Sequence, residues 1–376
     1  ETVVADGSGN WSVPVTGPLT ENGTYAVAVD SVDRAGNTFS TSGTFDFDSV
    51  NPANTPDLQA ASDSAGAGTT GTDSDNLTND QAPTFDVATG EPAGAVVKVE
   101  VLNNLGVVIP AHTTNTQTDA LGAITFTPGS NLAAGDYTLR VTPTDKAGNT
   151  GTAATLAFTV DTTTTTAYTG ITDDTFGADT TGTASDKLSN DSTPTITGTA
   201  EAGAAVTVTV TDPASTEVIS QTVVADGSGN WTLAITTPLT VNGTYTVDVS
   251  AVDKAGNTAT DTGSFDFDDT VPAATPDLLA TSDSAGAGTS GTTSDDYTKD
   301  QTPTFEVATG EPAGAAVLVE VLDNLGAVIG AHTTTTQTDA AGKISFTPGS
   351  NLAAGDYTLR VTPTDKAGNT GTAATL

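Results

Sequence analysis

The chain has 376 residues and a formal charge of −36, from ten Lys and Arg against 46 Asp and Glu, with no Cys and no Met. This charge argues against nucleic acid or anionic membrane as a partner, because both require clustered cations. The lack of Cys excludes disulfides, zinc–thiolate sites and thiol nucleophiles, so core packing or bound ions must supply the stability.

The predicted elements are strands, because apolar residues alternate with a period of two and turn residues recur every eight to twelve positions. In the segment 161–268 we predict strand A in the Thr-rich region after 162 and strand B near 193–199. Strands C to G follow at 205–211, 218–225, 231–235, 244–252 and 264–267. Seven short strands at this rhythm predict an all-β sandwich.

The same pattern repeats along the chain. The string Asp-Lys/Arg-Ala-Gly-Asn stands at 33–37, 145–149, 253–257 and 365–369, and residues 127–156 recur unchanged at 347–376. Trp11 recurs as Trp231 and Glu91 as Glu311, so two variants of one module alternate. The variant with Trp11 or Trp231 is here called the tryptophan type, and the variant with His112 or His332 the histidine type. We predict domains at 48–160, 161–267 and 268–376, preceded at 1–47 by the C-terminal part of a truncated repeat with exposed apolar faces. The chain is therefore expected to be a window from a longer array.

Strand alternation predicts which loops share a pole of each sandwich. The B–C loop, the D–E turn and the F–G loop are expected at the N-terminal pole, where the linker from the preceding domain arrives. The A–B loop is expected at the C-terminal pole, beside the end of strand G. Loops distant in sequence therefore meet where one domain joins the next.

These motifs resemble a known family. Linker Asp, SDxLxND before a strand, E-x-A-G, D-x-x-G-N-W and D-K/R-A-G-N, in this order, resemble the bacterial immunoglobulin-like extender repeats of giant Gram-negative RTX-type, biofilm-associated adhesins. The resemblance covers the whole chain and implies tandem immunoglobulin-like domains in an extended array, secreted to the cell surface, with calcium at domain junctions. The turns at 119–124 and 339–344 depart from the pattern by losing the Trp, which predicts a repacked core.

Calcium requires six to eight oxygen ligands, and Asp-rich turns supply them. The shared pole brings together one linker Asp, one B–C Glu and one F–G Asp, here called an acidic triad. Unneutralised, such carboxylates repel one another by several kcal/mol, and a divalent cation removes that repulsion. The preceding A–B loop offers further carboxylates at the second and third junctions. The first triad is Asp48, Glu91 and Asp145; the second is Asp161, Glu201 and Asp253; the third is Asp268, Glu311 and Asp365; the A–B candidates are Asp75 or Asp80, and Asp186 or Asp191.

Each motif also has a purely structural interpretation. The Asp-Lys-Ala-Gly-Asn string fits a hairpin turn without an ion, and the A–B acids fit a solvated loop. His112 and His332 have no second His or Cys nearby in sequence and are predicted as solvated strand residues. Trp11 and Trp231 are predicted as core residues instead of a carbohydrate platform. No catalytic set is readable, which predicts that the chain is not an enzyme.

The sequence thus predicts a calcium-stiffened spacer that projects a distal adhesive domain for attachment or biofilm formation. Its partners are expected to be the neighbouring repeats of the same chain, in a monomeric filament without membrane insertion. The alternative is a module that binds a surface carbohydrate or protein. The near-identity of the duplicated modules favours the spacer, because a dedicated binding site requires differentiation.

Overall fold

A computed structural model describes residues 1–66, 68–91, 93–172, 186–284 and 295–376 of the chain. These residues form 25 β-strands and one short 3₁₀ turn, and no α-helix occurs among them. The chain divides into two compact units. The first comprises Glu1–Ala65 and Gly71–Thr162, and the second comprises Gly66–Thr70 and Thr163–Leu376. The all-β prediction is confirmed.

The first unit begins with an antiparallel hairpin of β1 (Gly23–Val32) and β2 (Thr38–Phe47). Its apolar side chains lie open to solvent, as the truncated repeat predicted. Trp11 is 50% exposed, so the prediction that it is a core residue was wrong, and Phe45 is 41% exposed. Their equivalents in the repeat, Trp231 and Phe265, are buried. The same residue types therefore form a core only where a second sheet covers them.

The remainder of the first unit is a sandwich of two sheets. One has the order β4-β10-β9-β6-β7 and the other the order β3-β5-β8. Between them Phe85 packs edge-on against Phe158, with ring centroids 4.8 Å apart. The strands are β3 (Thr55–Leu58), β4 (Leu77–Thr78), β5 (Phe85–Ala88), β6 (Val96–Asn103), β7 (Val108–Gln117), β8 (Ala123–Phe126), β9 (Gly135–Thr144) and β10 (Ala154–Val160).

The second unit begins with a sandwich of the tryptophan type. Its sheets have the orders β12-β18-β17-β14-β15 and β11-β13-β16. Strands B to F form within two residues of their predicted limits, but strand G begins at Thr258 instead of 264, because its Thr-rich first half pairs fully with strand F. The strands are β11 (Thr166–Ile171), β12 (Leu188–Ser189), β13 (Thr195–Ala200), β14 (Ala205–Thr211), β15 (Glu217–Val224), β16 (Asn230–Ala234), β17 (Gly243–Val252) and β18 (Thr258–Phe267).

Trp231 fills the centre of this sandwich, as predicted, and it is only 2% exposed. Gly198 on the neighbouring strand leaves the space for the indole, since a Cβ at that position would overlap the ring and the carbonyl of Ala167. Tyr245 stacks on Phe265 at 5.4 Å between ring centroids. The large aromatic residues therefore determine where the strands need glycine.

A second sandwich of the histidine type completes this unit, with sheets β22-β21-β24-β25 and β19-β20-β23. A cavity of about 520 Å³ opens beside Phe305 and Tyr357. In the first unit the equivalents of Phe305 and Tyr357 are Phe85 and Tyr137, and both rings contact Phe158. Phe158 and Val160 are buried in that core. The elements are β19 (Thr275–Leu278), β20 (Phe305–Ala308), β21 (Ala316–Leu322), the 3₁₀ turn (Gly330–His332), β22 (Thr334–Gln337), β23 (Lys343–Phe346), β24 (Thr358–Thr364) and β25 (Ala374–Thr375).

Two further expectations have opposite outcomes. The A–B loop does lie beside strand G, because β4 pairs in parallel with β10 and β12 pairs in parallel with β18. The prediction that His112 and His332 are solvated was wrong. Both imidazoles are 6% exposed and the Nδ1 atom of each lacks a hydrogen-bond partner. Alternation along the chain did not show that these two positions are covered by other segments of the fold.

Candidate metal centre

The F–G turns hold one Asp of each acidic triad in a fixed orientation. In the first unit Asp145 accepts hydrogen bonds from the backbone and side-chain nitrogens of Asn149, both at 2.8 Å. The turns at Asp253 and Asp365 repeat these bonds within 0.1 Å. Gly148 adopts a φ of 94°, which a side chain would strain. Asn149 itself does not adopt a positive φ, and its side chain holds the carboxylate of Asp145.

The same Asn residues attach the F–G turns to the linkers. The side chain of Asn149 donates to the carbonyl oxygen of Asp48 at 3.0 Å. In the second unit Asn369 donates to the carbonyl oxygen of Asp268 at 2.7 Å. Each bond joins residues 101 positions apart in sequence. The linker Asp and the F–G Asp of the first and third triads therefore lie at one pole, as the strand alternation predicts.

The D–E turn contacts the backbone of the B–C glutamate and holds it in place. The backbone nitrogen of Glu91 donates to the hydroxyl of Thr89 at 3.2 Å, and that hydroxyl donates to the carbonyl of Gly122 at 2.8 Å. Gly122 lies so close to the backbone of Glu91 that a Cβ there would overlap it. The third domain repeats the arrangement around Glu311. The D–E turn therefore positions the glutamate through its backbone.

The electrostatics of the first and third triads show that the carboxylates influence one another. Burial raises the pKa of Glu91, and the negative charges of Asp145 and Asp48 raise it further. Burial likewise raises the pKa of Glu311, with additions from Asp365 and Asp268. None of these six acids forms an ion pair within the part of the chain that the structure describes. No ion pair therefore offsets the repulsion between them.

The pKa values of Asp145 and Asp365, the F–G aspartates of the first and third triads, shift in opposite directions. Burial is the largest influence on both. At Asp145 the hydrogen bonds from Asn149 outweigh burial and the pKa is lowered. At Asp365 burial outweighs the bonds from Asn369, the charge of Asp268 adds to it, and the pKa is raised. An ionised third triad therefore needs a countercharge more than the first does.

A cavity of about 260 Å³ lies within the first triad and is open to solvent on one side. Lys146 also borders it, with its side chain over Gly94, where a Cβ would meet the Lys146 Cε at 2.7 Å. The glycine of the E-x-A-G turn thus leaves room for this aliphatic chain. The lining residues are Asp46, Asp48, Glu91, Ala95, Asp145, Lys146 and Ala147.

The second triad is divided between the two units. Within the second unit, the carboxylate oxygens of Glu201 and Asp253 lie within 4.8 Å of one another, and Asp253 is fully buried. Asp161 belongs to the first unit, where its backbone nitrogen donates to the carbonyl of Thr78 at 2.8 Å. The B–C and F–G members of this triad are thus close together.

The four A–B candidates all stabilise their own turns. Each accepts a backbone hydrogen bond from two residues further along the chain: Asp75 from Leu77 at 3.1 Å, Asp80 from Ala82 at 2.9 Å, Asp186 from Leu188 at 3.2 Å and Asp191 from Thr193 at 2.8 Å. This is the local Asx pattern that Asp commonly adopts in turns. Their participation at a junction stays a prediction.

The donor set of each triad is made of oxygen atoms only. Carboxylates with neighbouring backbone carbonyls suit a hard cation of flexible coordination, which is the preference of Ca²⁺. Neither His112 nor His332 belongs to a triad, so no nitrogen ligand is present to favour a transition metal. The chemistry of these donors fits calcium, and in the described residues the three carboxylates of the first triad, like those of the third, do not all come within 4.8 Å of one another. The sequence analysis did not identify Asn149, Asn369 or Thr89 as supporting residues. The two Asn residues could have been found, because each is the last residue of the repeated Asp-Lys-Ala-Gly-Asn motif.

Comparison with protein families identifies the fold. The profile of the bacterial Ig-like domain matches residues 51–162, 166–269 and 270–376. The chain belongs to this family of bacterial Ig-like domains. Comparison with curated protein sequences gave no match. Among the described residues, no helix is long and apolar enough to cross a membrane.

Several solved structures are similar to this chain. One is a tetra-tandem repeat in the extending region of a large adhesion protein, at 22% identity, with 94% of this chain and 81% of that chain covered and a TM-score of 0.34. Another comes from a 1.5-MDa bacterial ice-binding adhesin, at 21% identity, with 87% and 97% covered and a TM-score of 0.36. The FN1–FN3 domains of chicken CNTN1 match at 11% identity, with 80% and 94% covered and a TM-score of 0.30.

Proposed function

We propose that this chain is a run of spacer domains in a secreted cell-surface adhesin of the RTX type, stiffened by calcium bound at the acidic triads. In this proposal the array carries a distal adhesive domain away from the cell for attachment or biofilm formation. Its contacts are made with neighbouring repeats of the same chain, as a monomeric filament, and its function is structural instead of catalytic.

The observation that carries the proposal is the repeated construction of the triads. Asn149 and Asn369 bond the F–G turn to the linker residue in the same way in two domains. Uncompensated carboxylates are costly in the folded state, and they are retained where an ion neutralises them. A cation that binds the folded pole stabilises it by mass action and restrains the linker. Stiffening follows because one ion ties the linker to two loops of the next domain.

The alternative of a carbohydrate-binding module has less support. Trp231, the aromatic residue that was considered as a sugar platform, is 2% exposed in the core. Near-identical histidine-type domains, 220 residues apart in sequence, also fit a spacer that lengthens by duplication. We therefore propose the spacer function alone.

The test counts calcium ions on the intact chain and measures its shape. Isothermal titration calorimetry is expected to show calcium binding that weakens at one site each in Glu91→Gln and Glu311→Gln. Small-angle X-ray scattering is expected to show a wider distribution of radii of gyration in EDTA than in calcium. The matched control is Glu217→Gln, which removes one exposed glutamate that belongs to no triad. Identical titrations for all three variants and the parent chain, with identical scattering in EDTA, would refute the proposal.

A further inference from the structure

A second kind of buried carboxylate lies in the A–B loops, apart from the acidic triads. Asp63 and Asp283 are equivalent residues of the two histidine-type domains, at 2% and 4% exposure. In each, Oδ2 accepts a hydrogen bond from a backbone nitrogen, that of Asn76 at 3.1 Å and that of Asp296 at 3.4 Å. The other oxygen, Oδ1, is buried in both domains without any hydrogen-bond partner. Half of each carboxylate is therefore unsatisfied.

An unsatisfied buried carboxylate oxygen is destabilising, since it has lost water and gained nothing in return. The same defect occurs in both copies, so it is a feature of the loop and not of one local packing arrangement. A buried ligand atom that accepts from no donor is available to a cation.

The surroundings of Asp63 and Asp283 are acidic. Burial raises the pKa of Asp63, and the negative charges of Asp75 and Asp73 raise it further. In the other domain burial raises the pKa of Asp296, with additions from Asp277, Asp283 and Asp295. Asp63 and Asp283 take part in none of the four ion pairs of the described residues. Other carboxylates thus lie around each buried Asp, and no described Lys or Arg pairs with Asp63 or Asp283.

The loop is also organised before any ligand arrives. Ser62 donates to the carboxylate of Asp80 at 3.1 Å, and the backbone nitrogen of Asn79 donates to the hydroxyl of Ser64 at 3.0 Å. Asn76 adopts a left-handed φ of 59°, which turns its backbone nitrogen towards Asp63. The second copy repeats these features with Ser282, Ser284 and Asp296. A preformed loop lowers the entropic cost of binding.

We propose that Asp63 with Asp75, and Asp283 with Asp295, each form a calcium site inside the A–B loop of a histidine-type domain. The ion supplies the missing partner of the buried Oδ1 and neutralises the carboxylates around it. Calcium fits better than magnesium, because an irregular loop of carboxylates and carbonyls cannot provide the strict octahedral geometry of magnesium. The proposal is independent of the acidic triads and holds whether or not they bind an ion.

Calcium counting on the full chain tests this proposal directly. The parent chain, Asp63→Asn, Asp283→Asn and the double variant are dialysed against calcium, and the bound ions are counted. Each single substitution is expected to remove one ion and the double variant two. The control is the double substitution Asp136→Asn with Asp356→Asn, which makes the same charge change at exposed positions and is expected to remove none. Equal counts for the parent chain and the double variant would overturn the proposal.

Asn at position 63 retains an oxygen for the bond from Asn76, so the fold is expected to survive. Should that variant unfold its domain, Asp283→Asn provides the second test in the equivalent loop, with the same expected loss of one ion. Glu91→Gln removes a member of the first triad and leaves Asp63 and Asp283 in place, so the failure of one kind of site is distinguishable from the failure of the other. A count that falls with Glu91→Gln but not with Asp63→Asn or Asp283→Asn would reject the A–B site and keep the triad.

Terbium provides an independent measurement at the second loop. Terbium replaces calcium, and a nearby tyrosine sensitises its luminescence. Tyr297 follows Asp296 directly and is 77% exposed, whereas the first loop has Leu77 at that position. Tyr297→Leu and Asp283→Asn are each expected to remove the same component of the emission, and excess calcium, but not magnesium, to quench it. Emission unchanged by Asp283→Asn would contradict a site in this loop.

Discussion

Replacement of Glu201 by Gln should change the stability of its domain in opposite directions with and without calcium. The carboxylate oxygens of Glu201 and Asp253 lie within 4.8 Å. At an effective dielectric constant of about 20, two such charges repel by about 3.5 kcal/mol. Glu201 is half-buried, so solvent reduces this figure, and we expect a gain of about 1–2 kcal/mol in EDTA. If calcium binds the triad as proposed, the variant lacks one ligand in calcium.

The loss in calcium is of similar size. An ion at about 100 times its dissociation constant stabilises the folded state by about 2.7 kcal/mol. A weakened site forfeits much of that, so Glu201→Gln should be less stable than the parent chain in calcium by about 1–2 kcal/mol. The sign of the difference therefore reverses between the two conditions.

The assay uses the buried Trp231, which reports the unfolding of this domain alone. The chain has two Trp residues, and Trp11→Phe removes the other. Urea unfolding is followed by fluorescence in EDTA and in calcium, for this background and for Glu201→Gln and Glu217→Gln within it. The exposed Glu217 serves as the control and should change the stability by less than about 0.5 kcal/mol. A difference of the same sign in both conditions would refute the reasoning.

Three other predictions concern stability. Glu100 is buried between Lys98, at 2.7 Å, and Arg140, at 2.8 Å. Glu100→Gln should therefore lower the free energy of unfolding of its domain by about 2 kcal/mol in urea. An unchanged free energy of unfolding would contradict this. The hydrogen bond from Lys98 is the largest cause of the lowered pKa of Glu100. The stability that the ionised Glu100 contributes should therefore be present above about pH 4.5 and be lost as the pH falls through the folded-state pKa. An acid titration in which the parent chain and Glu100→Gln lose stability in parallel would be inconsistent with the ion pairs. Gly198→Ala should lower the stability of its domain by about 1–3 kcal/mol, because the new Cβ overlaps the indole of Trp231. The control is Gly227→Ala, whose Cβ meets no atom within 4 Å. Equal shifts of the melting temperature for the two variants would count against the packing argument.

The acidic triads were accessible to sequence reasoning only through topology. Alternating strands assign loops to poles, and that assignment places Glu91 and Asp145 at one end of their sandwich. The local conformation of the F–G turn was also readable, because Asp and Gly at these positions have strong backbone preferences. The function of Asn149 was not, since its bond to Asp48 spans 101 residues and appears only when the chain has folded.

The features that could be read from the amino-acid sequence alone are periodic or local. The period-two alternation determined the strands, the repeats determined the modules, and turn chemistry determined the hairpin ends. Burial could be read only from the folded chain, because it depends on which surfaces meet. Asp63 and His112 are buried although their neighbours in sequence are polar, and Trp11 lies exposed where the identical Trp231 is core. Burial is a property of contacts between segments distant in the chain, and a local pattern does not specify those contacts.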